Sequence, residues 1–193
     1  MIASPEYLTV TEYLAFERTS SLKHEYRSGQ MYAMAGASNN HVIIAGNLFS
    51  ILRVGLRGRG CRPYISDTKV RIEKTNSYYY PDIVVSCNPK ESGLNDFLKS
   101  PCLVVEVLSD TTEAFDRGDK FRDYRALESL DEYVLVSQNI VAVEVFRRNA
   151  SGQWVLSTYE VGDSIHLQSI DMTVDVAELY EDVEFEPSPS VLG

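Results

Sequence analysis

Two acidic residues stand where the sequence predicts apolar strands. Asp82 follows Pro81 in SYYYPDIVVSC, residues 77–87, and Glu106 lies within PCLVVEVLSD, residues 101–110. A carboxylate in an apolar strand is costly unless it is paired, protonated or bound to a cation. Glu106 comes 24 residues after Asp82, which leaves room for two adjacent strands and a connecting loop. We therefore expect the two carboxylates to lie side by side.

Two carboxylates on one face of a sheet repel each other, and this raises one pKa unless a positive charge intervenes. A hard divalent cation such as Mg²⁺ suits one or two carboxylates, with water and phosphate oxygens in its other positions. Such a cation can activate water and stabilise charge on a phosphate. The alternatives are a turn or capping carboxylate at Asp82 and a structural ion pair at Glu106.

The elements that must position these residues are predicted in the order helix, β-hairpin, helix, three strands, helix, three strands and a short helix. Helices and antiparallel strands in this mixed order indicate an α+β domain. The hairpin turns at Ser28-Gly29, and a long amphipathic helix follows a cap at Ser38 or Asn39. Seven apolar residues should face inward from the long helix and from a later one that starts near Asp116: Ile44, Leu48, Ile51, Leu52, Phe121, Tyr124 and Leu127.

Bulk properties favour one domain over residues 1–193, with a loose tail at about 185–193. No apolar run is long enough to span a membrane, and MIASPEYLTVTEY lacks the regions of a secretory signal. We therefore expect a cytoplasmic protein with no membrane partner. The cysteines Cys61, Cys87 and Cys102 are odd in number and widely spaced, which favours small buried thiols over ligands or disulfides.

The net charge of -10 argues against loose electrostatic binding to nucleic acid. The charge is unevenly distributed, however, because residues 26–66 contain no Asp or Glu and residues 171–193 contain no Lys or Arg. This segregation indicates either a solvated surface or an anion-facing region in an acidic protein. The arginines of the first segment are Arg27, Arg53, Arg57, Arg59 and Arg62.

Six motifs in order carry a resemblance to a known family. They are HEYRSGQMYAMAG, NNHVIIAGNL, PDIVV, PCLVVEVLSDTT, DRGDKFRDY and DEYVLV. Their order and spacing resemble the Uma-type "putative restriction endonuclease" family within the PD-(D/E)XK nuclease superfamily. The likeness covers nearly the whole chain, roughly Leu8 to Tyr180.

The resemblance implies a restriction-endonuclease-like core (αβββαβ) with an N-terminal hairpin and added C-terminal strands. It implies a hydrolase that cleaves DNA phosphodiesters with Mg²⁺ or Mn²⁺, using Asp82 and Glu106 as metal ligands. The superfamily lysine is absent, because Leu108 stands two residues after Glu106, and Lys120 is the expected replacement. A homodimer is also expected by resemblance.

Two further residues match the family. Glu25 would be a third acidic member of the site, and His41 could touch a phosphate or a metal-bound water. Each assignment has a plainer alternative: an exposed hairpin charge at Glu25, a helix cap or satisfied structural group at His41, and a surface ion pair at Lys120. At the level of the whole protein, the alternative is a nuclease-fold binding or scaffold protein without catalysis.

Overall fold

The α-helices of the chain flank two mixed β-sheets. In the computed structural model, which describes residues 7–91 and 96–185, helices lie at Val10–Glu17 (α1), Asn39–Gly55 (α2), Glu113–Phe115 (α3), Phe121–Tyr124 (α4) and Val176–Leu179 (α5). A π-helical turn, Asp116–Lys120, joins α3 to α4. The strands are His24–Arg27 (β1), Gln30–Ala33 (β2), Arg62–Ile65 (β3), Lys69–Ile72 (β4), Ser77–Tyr79 (β5), Ile83–Ser86 (β6), Phe97–Leu98 (β7), Leu103–Leu108 (β8), Glu132–Ser137 (β9), Val143–Arg148 (β10), Trp154–Tyr159 (β11), Ser164–Leu167 (β12) and Met172–Asp175 (β13).

The six-stranded core sheet has the order β11-β10-β9-β8-β6-β3. Strands β3, β6 and β8 are antiparallel neighbours, whereas β8 and β9 are parallel. A parallel pair needs a crossover connection, which the helical segment α3 to α4 supplies. The series α2, β3, β6, β8, α3/α4 and β9 forms the predicted αβββαβ core, and β10 and β11 extend the sheet as expected.

A second sheet, of order β2-β1-β5-β4-β7, contains the predicted hairpin at its edge. Residues 77–87, where the sequence predicts an apolar strand around Asp82, contain two strands, because β5 belongs to this second sheet and β6 to the core sheet. The chain changes sheets between Tyr79 and Ile83. Pro81 explains the break, since it lacks the N–H that a continuous ladder would use. Asp82 therefore lies at the junction of the two sheets.

Apolar side chains cover both faces of the core sheet. On one face, Ile44, Leu48 and Leu52 of α2 are buried against β6, β8 and β9, and each contributes about 2 kcal/mol. Ile51, predicted to face inward, lies half-buried at the margin of this cluster. On the other face, Phe121, Tyr124 and Leu127 are buried as predicted, packed with Val84, Val104 and Leu108.

The prediction of three buried thiols was wrong for two of the cysteines. Cys61 and Cys87 form a disulfide, and Cys102 is free. The pairing of Arg62 with Ser86 puts Cys61 and Cys87 opposite each other at the ends of β3 and β6. Closing a loop of this length with a disulfide stabilises a fold by about 3 kcal/mol. The sequence separation of 26 residues hid this cross-strand proximity.

Sequence patterns missed three short strands. The antiparallel pair β12 and β13 packs under α2, and β7 joins the second sheet within a segment that was predicted as loop. Apart from its first residue, the predicted loose tail lies outside the described residues. Over residues 7–91 and 96–185, no helix combines the length and hydrophobicity needed to cross a membrane.

Candidate functional site

Asp82 is fixed by two hydrogen-bonding groups at the junction of the sheets. Its Oδ2 accepts a hydrogen bond of 2.7 Å from the backbone N–H of Val107, and its Oδ1 lies 2.9 Å from Nε2 of His41. The ladder that pairs Ile83 with Val105 places Asp82 opposite Glu106 when it is extended by one residue. The register therefore places Asp82, just before β6, next to Glu106 of β8, and the charge of Asp82 contributes to the raised pKa of Glu106.

Glu106 is an acidic residue inside a fully buried strand, and only 3% of its surface is exposed. Its Oε1 forms an ion pair of 2.9 Å with Nζ of Lys120, so the structural ion pair that was the alternative for Glu106 is present. Burial raises the pKa of Glu106 well above 4.5, the Lys120 charge opposes this rise, and the carboxylates of Asp116, Asp82 and Glu25 add to it. The pKa of Glu106 thus depends on the charges of Lys120, Asp116, Asp82 and Glu25.

Lys120 lies at the centre of a cluster of carboxylates. Its Nζ is 2.9 Å from Glu106, 3.1 Å from Glu25 and 3.4 Å from Asp116. Burial lowers the pKa of Lys120, but the three carboxylates more than offset this effect and hold the pKa well above 10.5. The side chain is therefore charged although only 5% of the residue is exposed. The alternative of an ion pair on the helix holds for Asp116, but this pair is buried and does not lie at the surface.

Leu108 sits where the superfamily lysine was expected, and it is buried in the apolar cluster on the Glu106 face of the sheet. The ammonium group that contacts Glu106 belongs to Lys120, in the π-helical turn of the crossover helix. Such turns change the phase of the side chains around a helix. This turn directs both Asp116 and Lys120 to the interior.

Glu25 reaches the cluster from the second sheet. It is buried in β1, and its Oε1 accepts a hydrogen bond of 3.1 Å from the backbone N–H of Tyr80. The alternative of an exposed hairpin charge was therefore wrong. Glu25 thus connects the hairpin to Lys120 and, through the N–H of Tyr80, to the junction of the two sheets.

His41 approaches from the opposite layer. Ser38 caps α2 by accepting a hydrogen bond of 3.1 Å from the N–H of His41, which fixes the first turn of the helix. The imidazole is half-buried and contacts Oδ1 of Asp82. His41 thus touches one of the two predicted ligands and not the Lys120 cluster.

The carboxylates of the site supply only part of the ligand set that a hard cation requires. In the part of the chain that the structure describes, no group of three or more His, Cys, Asp or Glu is arranged to hold a metal ion. Asp82, just before β6, and Glu106 of β8 nevertheless offer carboxylate oxygens. A carboxylate oxygen has two lone pairs, so the contacts of Asp82 and the ion pair of Glu106 with Lys120 leave acceptor capacity on both residues. Two protein carboxylates are sufficient for Mg²⁺ when water and phosphate supply the other ligands.

Sequence reasoning missed two members of the site. Asp116 is buried beside Lys120, and the i,i+4 spacing between them was a usable signal. Tyr124 was assigned to core packing, but its buried hydroxyl has no hydrogen-bond partner. Burial raises the pKa of Tyr124 well above 10, and the charge of Glu106 raises it further, which puts this hydroxyl in the electrostatic field of the site.

The arginine-rich segment lies away from the carboxylates. Arg53 is twelve residues after His41 on α2, a distance of about 18 Å along the helix axis. Arg57, Arg59 and Arg62 are exposed beyond that end of the helix. Arg27 is different, because it pairs with Asp119 at 2.6 Å and with Asp123 at 3.0 Å on the crossover helix.

The αβββαβ topology defines a restriction-endonuclease-like fold. A solved structure supports this class: the crystal structure of "a putative nuclease belonging to DUF820" from Anabaena variabilis ATCC 29413 is similar, with a TM-score of 0.73 and 16% sequence identity. The similarity covers 90% of this chain and 98% of that chain. At this identity the likeness shows the fold.

The chain belongs to the Uma2 family, whose description is "Putative restriction endonuclease" and whose model matches residues 10–177. Two proteins of Synechocystis sp. (strain ATCC 27184 / PCC 6803 / Kazusa) are similar over most of their length. Uncharacterized protein slr1290 is 40% identical, covering 92% of this chain and 94% of the relative. Uncharacterized protein sll1609 is 33% identical, covering 81% of this chain and 90% of the relative.

Proposed function

We propose that this protein is a metal-dependent endonuclease that hydrolyses DNA phosphodiester bonds at a PD-(D/E)XK-type site. The observation that carries the proposal is Glu106, a buried carboxylate that is paired with Lys120 at 2.9 Å and that the strand register places opposite Asp82, in a chain of this family. A cation bound between the two carboxylates would reduce their mutual repulsion, which Lys120 offsets only in part.

Asp82 and Glu106 would hold Mg²⁺ or Mn²⁺ together with water and a phosphate oxygen of the substrate. When bound, the cation supplies Lewis-acid stabilisation of the phosphate and a water of lowered pKa. The N–H of Val107 and the imidazole of His41 keep the Asp82 carboxylate in one orientation. Such contacts to a ligand typically change metal affinity or activity by 10–100-fold.

Lys120 would orient the attacking water and offset the negative charge that grows on the phosphate. Its ammonium group is charged and held by Glu25 and Asp116. We assign Glu25 to positioning Lys120, and His41 to positioning Asp82.

The proposal is tested by nicking of supercoiled plasmid DNA in the presence of Mg²⁺ or Mn²⁺. Asp82→Asn and Glu106→Gln remove the negative charge and keep the size, so each should reduce the rate by at least about 100-fold. Glu73→Gln is the matched control, because Glu73 is an exposed carboxylate paired with Lys99. Full activity in both site variants, with unchanged circular dichroism, contradicts the proposal.

A scaffold protein without catalysis is the second candidate, favoured by one observation: Lys120 already neutralises part of the carboxylate charge. A divalent-dependent rise in melting temperature separates the two, since a ligand that binds the native state stabilises it. The endonuclease predicts a rise that disappears in the double variant Asp82→Asn, Glu106→Gln. The scaffold predicts no rise, or the same rise in both proteins.

The proposed homodimer would form through the strands beyond the core, β10 and β11. Strand β11 is at the edge of the core sheet, and Val155 and Leu156 are half exposed on it. A solution mass of two chains supports this assembly, and a mass of one chain contradicts it.

A further inference from the structure

The three cysteines meet at one end of the core sheet. Cys61 precedes β3, Cys87 follows β6, and Cys102 precedes β8. Cys87 forms the disulfide with Cys61, and its Sγ is also 3.5 Å from Sγ of Cys102. The sulfur of Cys87 thus has one covalent partner and one free thiol in contact.

This cysteine cluster is distinct from the carboxylate site. Strand β6 separates them, because Asp82 lies before its first residue and Cys87 after its last. Five residues of extended chain span about 16 Å. All three cysteines are half-buried, so solvent reaches the cluster.

We propose that Cys61, Cys87 and Cys102 form a thiol–disulfide exchange site in which Cys87 changes its partner between Cys61 and Cys102. The thiolate of Cys102 attacks Sγ of Cys87, a Cys87–Cys102 bond forms, and the Cys61–Cys87 bond breaks. Cys61 leaves as a thiolate and takes up a proton from solvent, equal to the one that Cys102 lost. The number of disulfides stays the same, so no oxidant or reductant is consumed.

Exchange moves the covalent link from one strand pair to another. In the disulfide present here, Cys61 ties β3 to β6, and after exchange Cys102 would tie β8 to β6. The segment before β3, which contains the exposed Arg57 and Arg59, then loses its disulfide cross-link to the end of β6. The exchange therefore removes or restores a cross-link at the arginine-rich end of the molecule.

The surroundings of Cys102 make the exchange slow at neutral pH. Burial raises the pKa of this thiol to about 11, and the carboxylates of Asp131 and Glu132 contribute. Because the thiolate is the attacking species, the rate should rise about tenfold per pH unit below that value.

The decisive test is the folded Cys61→Ser variant, oxidised with glutathione disulfide, alkylated and mapped by mass spectrometry. The proposal predicts a Cys87–Cys102 disulfide in this variant and the Cys61–Cys87 disulfide in Cys102→Ser. Two free thiols, or two mixed disulfides with glutathione, in Cys61→Ser overturn it. Circular dichroism checks the fold of each variant.

A measurement on the wild-type protein keeps the test independent of the variants' folding. The oxidised protein is incubated at pH 9, quenched in acid and labelled with a maleimide. The proposal predicts label on both Cys102 and Cys61, with the Cys61 label absent in Cys102→Ser. Label on Cys102 alone at every incubation time overturns it.

Discussion

Lys120 offsets part of the negative charge of the buried site. Removing Lys120 would leave Glu25, Glu106 and Asp116 without a counter-charge in the protein interior. Removing one partner from a buried charge pair typically costs 3–5 kcal/mol. The stability of the site therefore depends on Lys120 as much as its proposed chemistry does.

Lys120→Met should lower the free energy of unfolding by about 3–5 kcal/mol in urea without divalent ions. Mg²⁺ should restore part of this loss, because a cation can replace the missing charge, so its stabilising effect should exceed that in the wild type. Lys74→Met is the control, since Lys74 forms an exposed pair with Glu128 and should change stability little. Equal Mg²⁺ effects in Lys120→Met and wild type argue against cation binding among these carboxylates.

Glu106 should make stability depend on pH in a defined direction. Its pKa is raised in the folded protein, so between pH 4.5 and the raised pKa the folded state binds more protons than the unfolded chain. Stability contributed by this group then falls as pH rises. The Glu106→Gln variant has no titrating group at this position. The free energy of unfolding of the variant minus that of the wild type should therefore increase with pH between pH 4.5 and the raised pKa of Glu106.

Glu73→Gln is the control for this pH series. A hydrogen bond with Lys99 lowers the pKa of Glu73. The free energy of unfolding of Glu73→Gln minus that of the wild type should therefore not change with pH above about pH 5. A flat difference for Glu106→Gln as well would contradict the raised pKa.

At the scale of elements, the crossover helix and the hairpin act together. Arg27 of β1 bonds Asp119 and Asp123, and Asp123 also accepts a hydrogen bond of 2.6 Å from the hydroxyl of Tyr79. These contacts fix the helix that carries Lys120 against the sheet that carries Glu25.

Arg27→Ala should therefore reduce stability by about 2–3 kcal/mol, mainly through the buried Asp123, since the partly exposed Asp119 is screened by water. The measurement is chemical unfolding followed by circular dichroism. Arg18→Ala provides the comparison, because the Arg18 pair with Asp96 is exposed at both ends. A loss no greater than that of Arg18→Ala would mean that the hairpin does not hold the helix.

The sequence predicted elements well where one local rule decides the structure. Side chains alternate along a strand, so Glu106 shares a face with Val104 and Leu108, and the cap predicted at Ser38 or Asn39, which is Ser38, located the start of α2. Sequence patterns failed where the local structure depends on contacts with distant parts of the chain. The break between β5 and β6 depends on how two sheets assemble. The burial of Lys120 depends on a π-helical turn and on Glu25, which comes from the hairpin.

At the scale of the whole molecule, the exposed arginines and the candidate carboxylate site lie near opposite ends of α2. The carboxylate site lies near the start of α2, and the exposed arginines lie about 18 Å away at its other end. The anion-facing region inferred from composition is therefore not the surface that surrounds Asp82. The cysteine cluster lies at the arginine-rich end, beside Arg62 and Ser86.

The central claim is that Asp82 and Glu106 share one divalent ion. Electron paramagnetic resonance measures it directly, because free Mn²⁺ gives a signal that is lost on binding. A titration of the metal-free protein should reveal one site per chain in the wild type and in Glu73→Gln, and weaker or no binding in Asp82→Asn and in Glu106→Gln. Equal Mn²⁺ binding in all four proteins, or none in the wild type, would contradict the account.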